Sequence, residues 1–131
     1  MADHSDLIGV PFELGARGPH AYDCYGLLRE VIRREQGVEI PDYESPKDAA
    51  NIIALFAVGV SMWKECGREA GAAALIALPK TPACPTGSMH CGYLVNDHQI
   101  LHTSRRLGGA VIEPIEHWAR RIKGFYRYVG T

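Results

Sequence analysis

Three residues in this chain have the means to do nucleophilic chemistry together: Cys24, His90 and His102. Cys24 follows Asp23 at the opening of "DCYGLLREVIRREQG" (23–37), a run that reads as an amphipathic helix. The first turn of a helix carries about half a positive charge from its aligned peptides, which favours a thiolate there. A neighbouring imidazolium lowers the thiol pKa further, and first-turn amides can hold a developing oxyanion. Such a thiol needs a base to exchange its proton with, and that base needs a third polar group to orient its ring. His90 fits the base and His102 the orienting group, because each falls in one arm of a hairpin pattern. "MHCGYLV" (89–95) and "HQILHTS" (98–104) flank Asn96-Asp97, a pair that favours a tight turn. A two-residue turn sets His90 against residue 103, beside His102. Adjacent residues of a strand point to opposite faces, so the two rings meet only if a bulge or a three-residue turn intervenes, and the latter makes them direct partners. A cysteine at a helix start is also an ordinary small buried residue, and a strand histidine an ordinary structural group. The residues alone leave both readings open.

The elements that must hold these groups are legible from periodicity. Leu27, Leu28, Val31 and Ile32 lie on one helical face, Arg29, Glu30, Arg33 and Arg34 mainly on the other, with Asp23 as N-cap and Gly37 as stop. The helix is predicted over about 24–36. Before it, "IGVPFELGARGPHA" (8–21) reads as an irregular entry loop. A second, buried helix is predicted over 47–58, and strands over 60–66, 73–78, 110–115 and 124–129 besides the two hairpin arms. A proline-rich loop is predicted over 81–88 and a short helix or turn over 115–121. A helical half followed by an antiparallel half argues for an α+β fold, helices packed on a central antiparallel sheet, in a single domain spanning 1–131.

Bulk properties exclude several roles. At 131 residues, with 47% hydrophobic and 22% charged side chains, the chain suits one ordinary globular core. A formal net charge of −1 gives no footprint for nucleic acid. No apolar run reaches the roughly 18 residues of a membrane span. The opening "MADHSDLIGVPF" is polar and acidic and is not a secretory signal, so synthesis in the cytoplasm is expected, with delivery to any external target by another route. The cysteines Cys24, Cys66, Cys84 and Cys91 contain no Cys-x-x-Cys pair. A grouping of Cys84, His90 and Cys91 fits no common zinc spacing, so no metal or cofactor is expected. Cys66, Cys84 and Cys91 are expected to be structural, His4, His98 and His117 to lie at the surface, and Trp63 and Trp118 to line the core or a groove.

Three stretches together resemble the NlpC-type family of bacterial cell-wall cysteine peptidases. They are Asp23-Cys24-Tyr25-Gly26-Leu27, His90-Cys91-Gly92-Tyr93-Leu94 and Ile100-Leu101-His102, in the family's order. The resemblance runs over about 8–130 and implies a papain-like fold with a Cys24–His90–His102 triad. It also implies hydrolysis of an amide in peptidoglycan stem peptides, commonly between γ-D-glutamate and a diamino acid. Tyr25 and the "GVPFELGARGP" entry are most similar to members from phages and prophages, which are often tail-associated. That implies delivery by a virion tail and phage tail proteins as partners. The family usually has a Tyr where Phe12 stands, twelve residues before the cysteine, and a Ser where Tyr25 stands. The first change removes a hydroxyl from the oxyanion region. The second removes a group that holds a free substrate amine in some relatives. A Gly-Asp that often opens the central strand is Gly71-Ala72 here. Asp23, Tyr25, Phe12 and Arg17 are the expected substrate-binding residues, Arg17 toward a stem-peptide carboxylate. An amidase or acyltransferase sharing the acyl-thioester, or a non-catalytic tail-assembly component, are the alternative functions.

Overall fold

The computed structural model describes residues 4–41, 62–82 and 88–130. Among these residues one α-helix, α1 (Cys24–Gln36), precedes six strands: β1 (Trp63–Cys66), β2 (Ala73–Leu78), β3 (Ser88–Leu94), β4 (Gln99–Thr103), β5 (Ala110–Pro114) and β6 (Ile122–Tyr128). A 3-10 helix, Ile115–Arg121, joins β5 to β6. The strands form one antiparallel sheet in the order β1-β6-β2-β3-β4-β5. This is the expected α+β architecture. The expected second helix and most of the proline-rich loop lie outside the described residues, as does the start of the strand expected over 60–66.

Helix α1 matches its expected bounds, because both ends carry their own stop signals. Asp23 stays extended and its carboxylate accepts from the Gly26 N–H at 2.7 Å. Gly37 takes a left-handed φ of 68°, and its N–H closes on the Arg33 carbonyl at 3.0 Å. Leu27, Leu28, Val31 and Ile32 are all buried and pack with Leu75, Cys91, Tyr93 and Leu101 of the sheet beneath. Strand β2 reads as an unbroken apolar run because both of its faces are covered. Ala73 and Leu75 join the cluster under α1. Ala74 and Ile76 join a second cluster with Leu94, Ile100 and Ile115, against which Trp118 and Phe125 pack.

The β3–β4 hairpin closes one residue later than the Asn96-Asp97 turn predicts. Tyr93 faces Leu101 and Leu94 faces Ile100, and the Val95 N–H reaches the Gln99 carbonyl at 3.1 Å. The turn is therefore Asn96-Asp97-His98. Asn96 sets it, accepting from the His98 N–H at 3.0 Å and donating to Gln99 Oε1 at 2.8 Å. Side chains of Asn often bond the backbone two residues on, which lengthens a two-residue expectation to three. This register puts His90 and His102 on the same face, as diagonal neighbours rather than direct partners.

The entry loop is held at two places. Gly9 and Val10 pair with Ala110 at the start of β5, and Pro11 bridges Gly109. Further on, Phe12 and Arg17 both bridge Tyr22, next to the start of α1. Asp23 binds this loop as well as the helix, accepting from the Gly15 N–H at 3.0 Å and from Arg17 Nη1 at 2.7 Å. Replacing Asp23 by Ala removes the cap and both loop contacts. A loss of about 1–2 kcal/mol, the upper range for cap removal, is expected as a lower urea midpoint with an unchanged slope.

Candidate active site

Helix α1 brings the Cys24 thiol to β3, where Cys91 and the His90 ring are the groups that favour its ionisation. His90 is buried, and its Nε2 lies 2.7 Å from Nδ1 of the buried His102 on β4. The other nitrogen of His102, Nε2, lies 2.5 Å from Glu113 Oε1 on β5. Trp118 packs edge-on to His102 and tilted against His90, with centroids 5.4 and 6.2 Å away. Its indole Nε1 donates to Glu113 Oε1 at 2.6 Å. Thiol, imidazole, imidazole and carboxylate thus follow one another across α1 and three consecutive strands.

The hydrogen bonds fix the direction of donation. An ionised Glu113 only accepts, so His102 carries its proton on Nε2 and leaves Nδ1 as acceptor. His90 then donates from Nε2, and its Nδ1 is the nitrogen left to exchange a proton with the thiol. Burial, together with the charge of His90, brings the His102 pKa down to about 4 against the opposing pull of Glu113, so its ring is neutral at pH 7. Burial also works against ionisation of Glu113, but hydrogen bonds from Trp118, His102 and His117 win and hold its pKa below the usual value.

The Cys24 thiol is lowered to about 5. The largest cause is the hydrogen bond from Cys91. Burial opposes it, and the hydrogen bond and charge of His90 add to the lowering. Cys91 moves the other way, raised well above its ordinary value by its bond to Cys24 and by burial, so it stays a thiol and donates. Cys91 was expected to be structural; it is fully buried, and it also touches the thiol.

Gly92 makes the histidine pair possible. A Cβ there would stand 2.6 Å from Ile100 Cδ1 and 2.9 Å from His102 Cβ, so only glycine lets the β4 side chains close over β3.

The expected substrate-binding residues are placed differently from one another. Tyr25 is fully buried, and its hydroxyl donates to the Pro41 carbonyl, so it faces the core instead of a groove. Arg17 turns inward to Asp23 and the Ala16 carbonyl and lies over the Tyr25 ring, instead of reaching out to a substrate carboxylate. Asp23 is buried and its oxygens accept from Gly26, Gly15 and Arg17, so in this structure it serves as a cap. Phe12 is half-buried beside Tyr22, with the Arg105 guanidinium 5.9 Å above its ring. His4, expected at the surface, is buried and bonds Glu35 at 2.7 Å. Cys84 lies outside the described residues. Among the described residues no group of three or more potential ligands is arranged to hold a metal ion.

Residues 9–127 match the model of the NlpC/P60 family. The chain belongs to that family. Its fold is similar to a crystal structure from Staphylococcus aureus subsp. aureus Mu50, described as similar to lipoprotein, NLP/P60 family, with a TM-score of 0.62 and 16% sequence identity. The match covers 95% of this chain and 38% of that one, so this chain spans well under half of its length. No curated protein matches the sequence. NlpC/P60 membership supports a hydrolase of the cell-wall peptidase kind, in a family whose members are generally cysteine peptidases or amidases.

Glu113 and Trp118 were not read as parts of the site from the sequence. The signal was present: Glu113 is the one charged residue of an otherwise apolar strand, and its pairing with β4 puts it on the histidine face.

Three expectations follow from this geometry. Alkylation of Cys24 by iodoacetamide, mapped by mass spectrometry, is expected to rise with a midpoint near pH 5, where the thiolate forms, and to level off above it. Cys91→Ala should move that midpoint upward, because the group that most lowers the thiol is gone. Gly92→Ala should destabilise the fold by about 1–3 kcal/mol, the range for overpacking, and slow the alkylation at pH 6 by displacing His102.

Proposed function

We propose that this chain is a cysteine peptidase that hydrolyses an amide of peptidoglycan stem peptides, with Cys24 as nucleophile, His90 as base and His102 as its orienting partner. One observation carries the reading: in a chain of the NlpC/P60 family, the cysteine that opens α1 has its ionisation favoured by a histidine that is itself bonded to a second histidine. The Cys24 thiolate attacks the scissile carbonyl, and the first-turn amides of α1 stabilise the oxyanion. His90 Nδ1–H then protonates the departing amine, leaving an acyl-thioester on Cys24. A water molecule, giving its proton to His90, releases the acid and restores the thiol.

The bond between γ-D-glutamate and a diamino acid is the proposed target. It rests on the resemblance of Asp23-Cys24-Tyr25-Gly26-Leu27, His90-Cys91-Gly92 and Ile100-Leu101-His102 to family members with that activity. The proposed setting is a phage or prophage tail that carries the protein to the wall after synthesis in the cytoplasm. The motif supporting it is the "GVPFELGARGP" entry followed by Tyr25.

Purified sacculi incubated with the protein test the proposal. New amino groups and the corresponding cleaved muropeptides are expected from the wild type by mass spectrometry. Cys24→Ala should release none, and His90→Ala should lower the rate by roughly 10²–10⁴-fold, the usual share of acid–base catalysis. Equal release by Cys24→Ala and wild type would sink the assignment. Transfer to an added amine in place of hydrolysis would make the enzyme an acyltransferase on the same intermediate.

A further inference from the structure

The buried pair His90–His102 ends on a carboxylate that lies outside the family motifs. Glu113 sits on β5, one strand beyond His102, and Ile100 pairs with it across the β4–β5 ladder. Alternation along both strands therefore turns His102 and Glu113 to the same face. Glu113 Oε1 receives two donors, His102 Nε2 at 2.5 Å and Trp118 Nε1 at 2.6 Å, while Oε2 lies 3.3 Å from His117 Nδ1. The His102 side chain has no exposure at all, whereas that of Glu113 is 20% exposed. A buried imidazole is thus tied to a carboxylate at the margin of the site, and the carboxylate is itself held by an indole.

We propose that Glu113, held by Trp118, is the positioning residue that keeps His102 protonated on Nε2, so that its Nδ1 accepts from His90 and leaves His90 Nδ1 facing the thiol. The inference rests on the reading of Cys24, His90 and His102 as the reacting groups. Without an acceptor at Nε2, nothing among the described contacts prefers one neutral tautomer of His102. In the other tautomer Nδ1–H would point at His90 Nε2, and His90 would have to carry its proton on Nδ1, away from its role as base. Charge adds to geometry. A carboxylate at the far end of the chain favours positive charge on the rings between it and the thiolate, and so favours the thiolate–imidazolium pair. The titratable groups facing this row are Cys24 and Cys91 at one end and His117 at the other. Trp118 covers both rings and shields the bonds between them from water, where they are worth more.

Removing Glu113 also leaves a buried N–H without a partner, which destabilises any fold. The test must therefore read positioning separately from stability. Ring ¹⁵N chemical shifts of His102 in the full chain at pH 7 report the tautomer directly. The wild type is expected to show a protonated Nε2 and a bare Nδ1. Glu113→Ala should lose that pattern and slow iodoacetamide alkylation of Cys24 at pH 6 by roughly ten- to hundred-fold, the range that outer partners of functional histidines control. Glu113→Met has nearly the same length and no carboxylate, and it takes the place of the Ala variant if that one fails to fold. Glu113→Gln keeps an oxygen that accepts from both donors. It should restore the Nε2 pattern and recover part of the rate.

A folded Ala or Met variant with wild-type His102 shifts and wild-type alkylation overturns the proposal. Neither readout uses a substrate, so the two readings fail separately. Sacculi left intact, with the tautomer still dependent on Glu113, would strike the peptidase assignment and leave this one. Sacculi cleaved, with the tautomer indifferent to Glu113, would strike this one alone.

Discussion

Asp23 binds three donors from two places in the chain, and the position of Cys24 depends on it. One oxygen accepts from the Gly26 N–H inside α1 and from Arg17, and the other from the Gly15 N–H in the entry loop. A helix start is ordinarily free to fray, because its first amides have no partners within the helix. Here the residue next to the thiol is buried and its bonding capacity is filled from both sides. The angle at which α1 meets β3 is fixed as a result, and with it the place of Cys24. Arg17, drawn into this arrangement, brings its charge to the helix start and lies over the Tyr25 ring, so the loop, the cap and the core under α1 form one unit.

The sheet supplies the other half. Three neighbouring strands each contribute one polar side chain to a single face, and each lies diagonal to the next: His90, His102 and Glu113. Such a row is costly in a buried sheet unless every nitrogen finds a partner. The row meets that condition by ending on a carboxylate that also takes the indole proton of Trp118. The same 3-10 helix that brings Trp118 also covers the apolar cluster of Ile76, Leu94, Ile100 and Ile115. One short element therefore closes the second core and shields the polar row.

Much of this was legible in the sequence where local signals agree with the tertiary structure. Asp23, the Leu27/Leu28/Val31/Ile32 stripe and Gly37 define α1 by capping and periodicity alone. The apolar run at 73–78 and the hairpin arms define central strands. Reading failed where partners are distant in sequence. The turn at Asn96 is set by a side chain that bonds its own backbone, which dipeptide preference does not capture. The expectation of substrate contacts at Tyr25 and Arg17 rests on family resemblance and on charge, neither of which reports packing. Helical geometry turns Tyr25 into the core, and the charge of Asp23 captures Arg17. Glu113 is separated from His102 by a loop and becomes its neighbour only through the β4–β5 ladder. Cys91 is buried as a structural cysteine should be, and its influence on Cys24 is invisible in the sequence because the two are far apart along the chain.

The pairing of Gly9 and Val10 with Ala110, and of Pro11 with Gly109, also bears on how the molecule meets other copies of itself. Strand β5 is one margin of the sheet, and an unpaired margin is a template on which another chain can add a strand. The entry loop occupies the beginning of that margin, and Pro114, which has no N–H to offer, ends it. At the opposite margin β1 is only four residues long and turns Lys64 and Glu65 outward. Among the described residues neither margin of the sheet presents a long, open, apolar ladder, so the segment that holds the start of α1 also guards the protein against edge-to-edge aggregation.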